Sequence, residues 1–178
     1  LDQFTLDLPF SLSLVLPADV INICWMLFLT NAINWVFSVD AAGEFVVLLT
    51  ALGLLLANMK LGNIGVAMMC AVLLGAMIGY IPYNFPPAKM FSGTDIFYGF
   101  LLAVLSIVSS GKLLTAASIL AFPLVDMLWV LLFRIRTHHT FNPRKLLTIS
   151  DTTHLAHRLK SLGLSVKGIL SLEIGIVL

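Results

Sequence analysis

The apolar residues of this chain fall in long runs, with neither the alternation of a half-buried strand nor the narrow stripe of a surface helix. The runs cover residues 20–36, 45–59, 64–81, 96–109, 113–133 and 164–178. Between them stand short clusters that stop regular structure: Lys60-Leu61-Gly62-Asn63, the proline-rich stretch from Pro82 to Pro87, and Ser109-Ser110-Gly111-Lys112. A membrane-crossing helix needs about 17–25 mostly apolar residues. The pattern therefore predicts an all-α, polytopic transmembrane bundle of about six spans, a single membrane domain over 1–178. The run 113–133 is the clearest span, and 96–109 is short enough to be a partial one. Residues 134–163 read as a polar loop with a short helix ahead of the last span.

Composition supports this. Of 178 residues 60% are hydrophobic and 11% charged, where a soluble domain carries about 25% charge. That excludes a soluble globular domain, a disordered chain, a disulfide scaffold and a nucleic-acid partner. Cys24 and Cys70 lie inside apolar runs and read as small buried hydrophobes. No signal peptide is visible, and both ends read as cut. The basic residues then orient the chain. On one side of the predicted bundle stand Lys60 and Lys112; on the other stand Lys89, Arg134, Arg136, Arg144, Lys145, Arg158 and Lys160, with Lys167 at the edge. Positive charge marks the cytoplasmic face, so the loops after spans one, three and five are expected inside. Those loops also gather the amides, carboxylates and histidines, which points to a site on that face of the plasma membrane.

Three segments there carry the chemistry. The first runs Thr30-Asn31-Ala32-Ile33-Asn34-Trp35-Val36-Phe37-Ser38-Val39-Asp40; the second runs from Asn84 through Pro87-Ala88-Lys89-Met90-Phe91-Ser92-Gly93-Thr94-Asp95; the third is Asp151-Thr152-Thr153-His154-Leu155-Ala156-His157-Arg158-Leu159. With Pro123 and Asp126 between them, in this order and topology, they resemble the polyprenyl-phosphate sugar-1-phosphate transferases, and most closely the branch that loads N-acetylglucosamine-1-phosphate onto undecaprenyl phosphate. Members have ten or eleven spans; the resemblance covers their C-terminal part, and their paired-aspartate motif is absent here.

The resemblance implies an enzyme of cell-envelope polysaccharide synthesis that transfers a sugar-1-phosphate from a UDP-sugar, such as UDP-GlcNAc, to polyprenyl phosphate and releases UMP. Magnesium is the implied cofactor, held by carboxylates. Carried over, Asp40 and Asp95 are the catalytic and metal-binding carboxylates. Asn31, Asn34, Asn84 and Lys89 serve the nucleotide and phosphates, and His154, His157 and Arg158 the sugar and diphosphate. A homodimer is compatible with this class. Three positions depart from the family pattern: Phe37 replaces an aspartate, Thr94 replaces the expected metal-binding aspartate and leaves Asp95 one place late, and Ala156 replaces a histidine. Ser38 and Ala41 stand where the first motif has glycines. These losses define the alternative, a catalytically inactive relative that binds lipid or a partner; an unrelated small transporter is the remaining reading. Asp151 is placed to cap a helix over 152–161 that Gly163 ends. Asp126, inside a span and just after Pro123, is expected to bond freed backbone or the Arg134 region. Arg134, Arg144 and Lys145 are expected at lipid headgroups or the carrier phosphate, and His138 and His139 as solvated loop residues.

Overall fold

A computed structural model describes residues 4–8, 12–16, 18–37, 40–90, 93–109, 120–142, 145–146 and 155–177. Its membrane part is helical, as the apolar runs predict: α1 (Ala18–Val36), α2 (Ala42–Lys60), α3 (Ile64–Asn84), α4 (Asp95–Val108), α5 (Ala121–His138), α6 (Leu155–Ser161) and α7 (Val166–Val177). Ahead of α1 lies an element that the pattern does not predict. Strands β1 (Phe4–Leu8) and β2 (Leu12–Leu16) pair antiparallel, with Phe4 opposite Leu16 and Leu8 opposite Leu12.

Among the described residues three helices, α1, α2 and α3, are long and apolar enough to cross a membrane. Of the other expected spans, α4 has 14 residues and α7 has 12. The described helix in the fifth apolar run is Ala121–His138. It continues beyond Phe133 to His138, while residues 110–119 lie outside the described part. The polar loop expected from 134 thus begins as helix. The reason is Arg134, which is buried at 2% exposure rather than solvated. Its guanidinium donates to the Leu146 carbonyl at 2.6 Å and lies over the Trp35 ring, 4.7 Å from its centre. It does not reach lipid headgroups as expected.

The bundle is built from two antiparallel pairs. Helices α2 and α3 are joined by a tight turn in which Gly62 takes φ +73. Asn63 N–H returns to the Asn58 carbonyl and Gly62 N–H to Met59, the paired bonds that close a helix end at glycine. Helices α1 and α4 touch at Thr30 and Gly99, where a Cβ on the glycine would stand 2.7 Å from Thr30 Cα. Trp25 Nε1 donates to Ser106 Oγ at 2.8 Å further along. The core between the pairs holds Leu29, Ile33, Val47, Leu54, Cys70, Met77 and Leu102. Cys70 is buried as expected; Cys24 is exposed. Buried polar bonds tie the ends: at the end of α2, Asn58 accepts from Ser109 Oγ at 3.1 Å.

Candidate functional site

The C-terminal ends of α1 and α3 and the N-terminal ends of α2 and α4 meet at the opposite end of the bundle. The turn from α1 to α2 is sharp because Ala41 adopts the left-handed conformation, φ 65, a geometry that favours glycine. The turn places Asp40 beside the loop that follows α3, where its Oδ2 accepts from Ala88 N–H at 3.3 Å. That loop folds back on its own helix: Lys89 and Met90 donate to the Tyr83 carbonyl at 2.9 and 3.2 Å, and Tyr80 Oη donates to the Met90 carbonyl at 3.2 Å. The first two sequence motifs, 44 residues apart from Asp40 to Asn84, are thereby one site.

Glu44, which sequence reasoning passed over, sits at its centre. It lies one helical turn after Asp40 and is fully buried. Asn84 Nδ2 donates to its Oε1, leaving Glu44 Oε2 and Asn84 Oδ1 as buried acceptors without a protein partner among the described residues. α3 continues past Pro82 to Asn84, although a proline cannot supply its own helical N–H, and the bond to Glu44 ties its last residue to α2. Asp40 and Asp95 are close enough to act electrostatically on Glu44. The signal available in the sequence was the i, i+4 spacing of two carboxylates at the mouth of an apolar run.

The other expected site residues separate into two groups. Asn31 and Asn34 are half-buried near the end of α1, and Asn31 Nδ2 donates to its own helix at the Leu27 carbonyl, 2.7 Å. Asn84 is buried against Glu44 instead of facing an open cleft, Lys89 is exposed, and Asp95 is half-buried as the first residue of α4. Phe37, at the departed motif position, lays its ring directly over Gly43 and stacks on Tyr98 with 5.8 Å between ring centres. Arg158 holds its guanidinium over Trp129, 5.1 Å from the ring centre. His154, Asp151 and Arg144 lie outside the described residues. His157 lies within α6, but its side chain is outside the described part.

Beside this end an apolar groove of about 730 Å³ runs between α1 and α4. Ile23, Met26, Leu27, Ile96, Phe97 and Phe100 form its walls, and Thr30, Asn31 and Thr94 its polar end. A second, of about 320 Å³, lies between α1 and α5, and Asn31 borders both. Among the described residues no group of three or more histidine, cysteine or acidic side chains is assembled as a metal cage. The exposed or half-buried carboxylates at this end are those of Asp40 and Asp95.

Asp126 resolves as a tertiary cap. Its Oδ1 accepts from Leu155 N–H, the first residue of α6, at 3.1 Å. Gly163, φ +87, ends α6 as expected, with Leu164 N–H returning to Leu159. His138 and His139 are exposed, as expected.

Sequence comparison agrees with this arrangement. The chain is 28% identical over 155 residues to a probable undecaprenyl-phosphate N-acetylglucosaminyl 1-phosphate transferase of Bacillus subtilis, covering 82% of this chain and 41% of that protein. It is 28% identical over 180 residues to the decaprenyl-phosphate N-acetylglucosaminephosphotransferase of Mycobacterium tuberculosis, covering 84% and 43%. A phospho-N-acetylmuramoyl-pentapeptide-transferase of Clostridium kluyveri is 39% identical over 64 residues, 36% of this chain and 20% of that protein. The chain thus spans about two fifths of the length of the two longer-matching relatives. The profile of glycosyl transferase family 4 matches residues 1–110, which contain β1 through α4 and both joined motifs, and the chain belongs to that family.

Proposed function

We propose that this chain forms the acceptor-side part of an integral membrane transferase that moves N-acetylhexosamine-1-phosphate from a UDP-sugar to polyprenyl phosphate. The observation that carries the reading is the groove between α1 and α4. An apolar channel of lipid-chain character ends at Thr30, Asn31 and Thr94, and Asp95 stands between its lining residues Thr94 and Ile96. A polyprenyl tail needs the first feature, and a diphosphate the second. In the reaction, an oxygen of the lipid phosphate attacks the β-phosphorus of the UDP-sugar. A new P–O bond forms to the carrier, the bond to the α–β bridging oxygen breaks, and UMP leaves with that oxygen. Catalysis of such a step is mainly positioning and charge stabilisation.

Asp40 and Asp95 are the residues that would hold magnesium, which would neutralise the diphosphate when bound. Asp40 is also held by Ala88 N–H, which fixes its carboxylate at this end of the bundle. Glu44 and Asn84 act from beneath, fixing the junction of α2 and α3. Asn31 and Asn34 are assigned to the donor, Lys89 to phosphate at the rim, and His154 and His157 to the sugar. All six apolar stretches are embedded in the plasma membrane, and the site faces the cytoplasm; the excess of basic residues on that side supports this orientation.

The test is UMP release by the purified protein supplied with Mg²⁺, UDP-N-acetylglucosamine and undecaprenyl phosphate. Asp40→Asn and Asp95→Asn should each lower kcat by about 100-fold or more. Absence of UMP release under conditions in which the Bacillus subtilis relative turns over would overturn the reading in favour of an inactive lipid-binding relative.

A further inference from the structure

Glu44 is the one fully buried carboxylate among the described residues, at 0% exposure, and Asn84 is 4% exposed. A single bond joins them, from Asn84 Nδ2 to Glu44 Oε1. The atoms left over, Glu44 Oε2 and Asn84 Oδ1, are both buried oxygens, and neither has a partner among the described residues. Each belongs to the same planar group as a bonded atom, so the two oxygens flank one bond. An ionised carboxyl offers acceptors only, and so does an amide oxygen. With Glu44 ionised, the pair lacks a donor at two buried atoms, which is expensive. Turning the amide over gains nothing, because its oxygen would then face Oε1 with no hydrogen between them.

The described surroundings do not supply that donor. The charges that act on Glu44 are those of Asp40, on the turn before α2, and Asp95, at the start of α4, and both are carboxylates. Tyr80, on α3, lies within electrostatic reach, but its hydroxyl donates to the Met90 carbonyl. Lys89, in the adjoining loop, is exposed. Neither the two grooves described above nor a third, of about 590 Å³ between α3 and α4, is lined by Glu44 or Asn84. A buried carboxyl among like charges is held most cheaply without its charge. One proton meets the whole requirement. Placed on Oε2, it is donated to Asn84 Oδ1, while Asn84 Nδ2 continues to donate to Oε1.

We propose that Glu44 is held as the neutral carboxylic acid and closes a ring of two hydrogen bonds with the Asn84 amide, so that a bound proton is part of the joint between α2 and α3. Two bonds fix the plane of both groups, where one would leave a swivel. Asn84 is the last residue of α3, and the loop that follows it carries Ala88, which donates to Asp40. The ring is therefore a positioning device for Asp40, and a neutral Glu44 adds no third negative charge beside Asp40 and Asp95. Its value to catalysis rests on the transfer reading given above; the protonation itself does not.

The test is isotope-edited infrared spectroscopy of the full chain in a maltoside detergent, which has no ester carbonyl, at about pH 7, where an ordinary glutamate is ionised. The sequence has two glutamates, Glu44 and Glu173. Carbon-13 in the glutamate side-chain carboxyl therefore labels these two, and Glu173→Gln leaves Glu44 as the single labelled group. The difference between labelled and unlabelled protein should show the C=O stretch of a carboxylic acid moving with the label, and no carboxylate bands. This spectrum needs no substitution at the pair itself. In Asn84→Leu the acid band should move to higher frequency or give way to carboxylate bands, because Oε1 has lost its donor and Oε2 its acceptor. Glu44→Gln, whose amide N–H takes the place of the acid proton, should unfold at or above the temperature of the parent; Glu44→Asp, one methylene short, should unfold below it. Carboxylate bands from Glu44, an acid band unchanged in Asn84→Leu, a Glu44→Gln protein clearly less stable than the parent, or loss of the acid band on adding Na⁺, K⁺ or Mg²⁺, as for a cation held between the two oxygens, would each overturn the proposal. Because the readouts are spectra and unfolding and not UMP release, an inactive transferase would leave the result intact.

Discussion

Two glycines give opposite predictions for the same chemical change. At Gly99 an added Cβ would stand 2.7 Å from Thr30 Cα and 2.9 Å from the Thr30 carbonyl oxygen. Ordinary contact begins near 3.4 Å, so α1 and α4 would have to part by the difference, 3.4 − 2.7, about 0.7 Å. The atoms in the way are backbone and no rotamer relieves them. Overpacking of this kind costs about 1–3 kcal/mol, partly offset by the gain of up to about 1 kcal/mol when alanine replaces a helical glycine. Gly99→Ala should therefore lose about 1–2 kcal/mol. At Gly75, on α3, the added Cβ meets nothing within 4 Å, so Gly75→Ala should gain about 0.5–1 kcal/mol. Thermal unfolding in detergent followed by circular dichroism should show Gly99→Ala lowered by about 2–8 °C and Gly75→Ala raised. Thr30→Gly should not rescue Gly99→Ala, because the clash is with Cα and the carbonyl. A Gly99→Ala protein as stable as the parent, or rescued by Thr30→Gly, would show that the helices do not approach as described. The change also matters for function: Asp95 lies one turn before Gly99 and Asn31 next to Thr30, so the shift moves two site residues apart.

Other substitutions probe single joints. Ala41 holds φ 65 at a family glycine position, so Ala41→Gly should stabilise by about 1 kcal/mol, read as a higher unfolding temperature. Glu44→Leu should destabilise by about 1–3 kcal/mol because it leaves the buried Asn84 amide without an acceptor, and the double variant with Asn84→Leu should recover much of that loss; no recovery would mean the pair is not coupled. Asp126→Ala should remove the cap of α6, at a cost of about 0.5–2 kcal/mol, and speed hydrogen exchange at Leu155. Asp126→Asn keeps an acceptor oxygen and should exchange almost as slowly as the parent.

Helix positions were legible because membrane helices declare themselves by length and hydrophobicity: α2, α3 and α4 lie within a few residues of the apolar runs. The motifs were legible as polar groups that hydrocarbon would not tolerate without a reason. Glu44 was hidden because it reads as the polar edge of a span, and only the approach of α3 turns it into the partner of Asn84. Arg134 was misplaced for the same reason in reverse. Its charge predicts headgroups, but the ring of Trp35 and the carbonyl of Leu146, 99 residues upstream and 12 downstream, supply the environment that buries it.

The sequence by itself determined a multi-helix membrane protein, the turns that separate its helices, and the face on which its polar chemistry gathers, because each of these depends on local composition and on which groups can enter a bilayer. Only the tertiary structure decided which polar groups meet. The Asp40–Ala88, Glu44–Asn84 and Asp126–Leu155 bonds and the Thr30–Gly99 crossing each join residues at least 29 apart. Their partners are set by helix packing, which leaves no mark in the pattern of either segment alone.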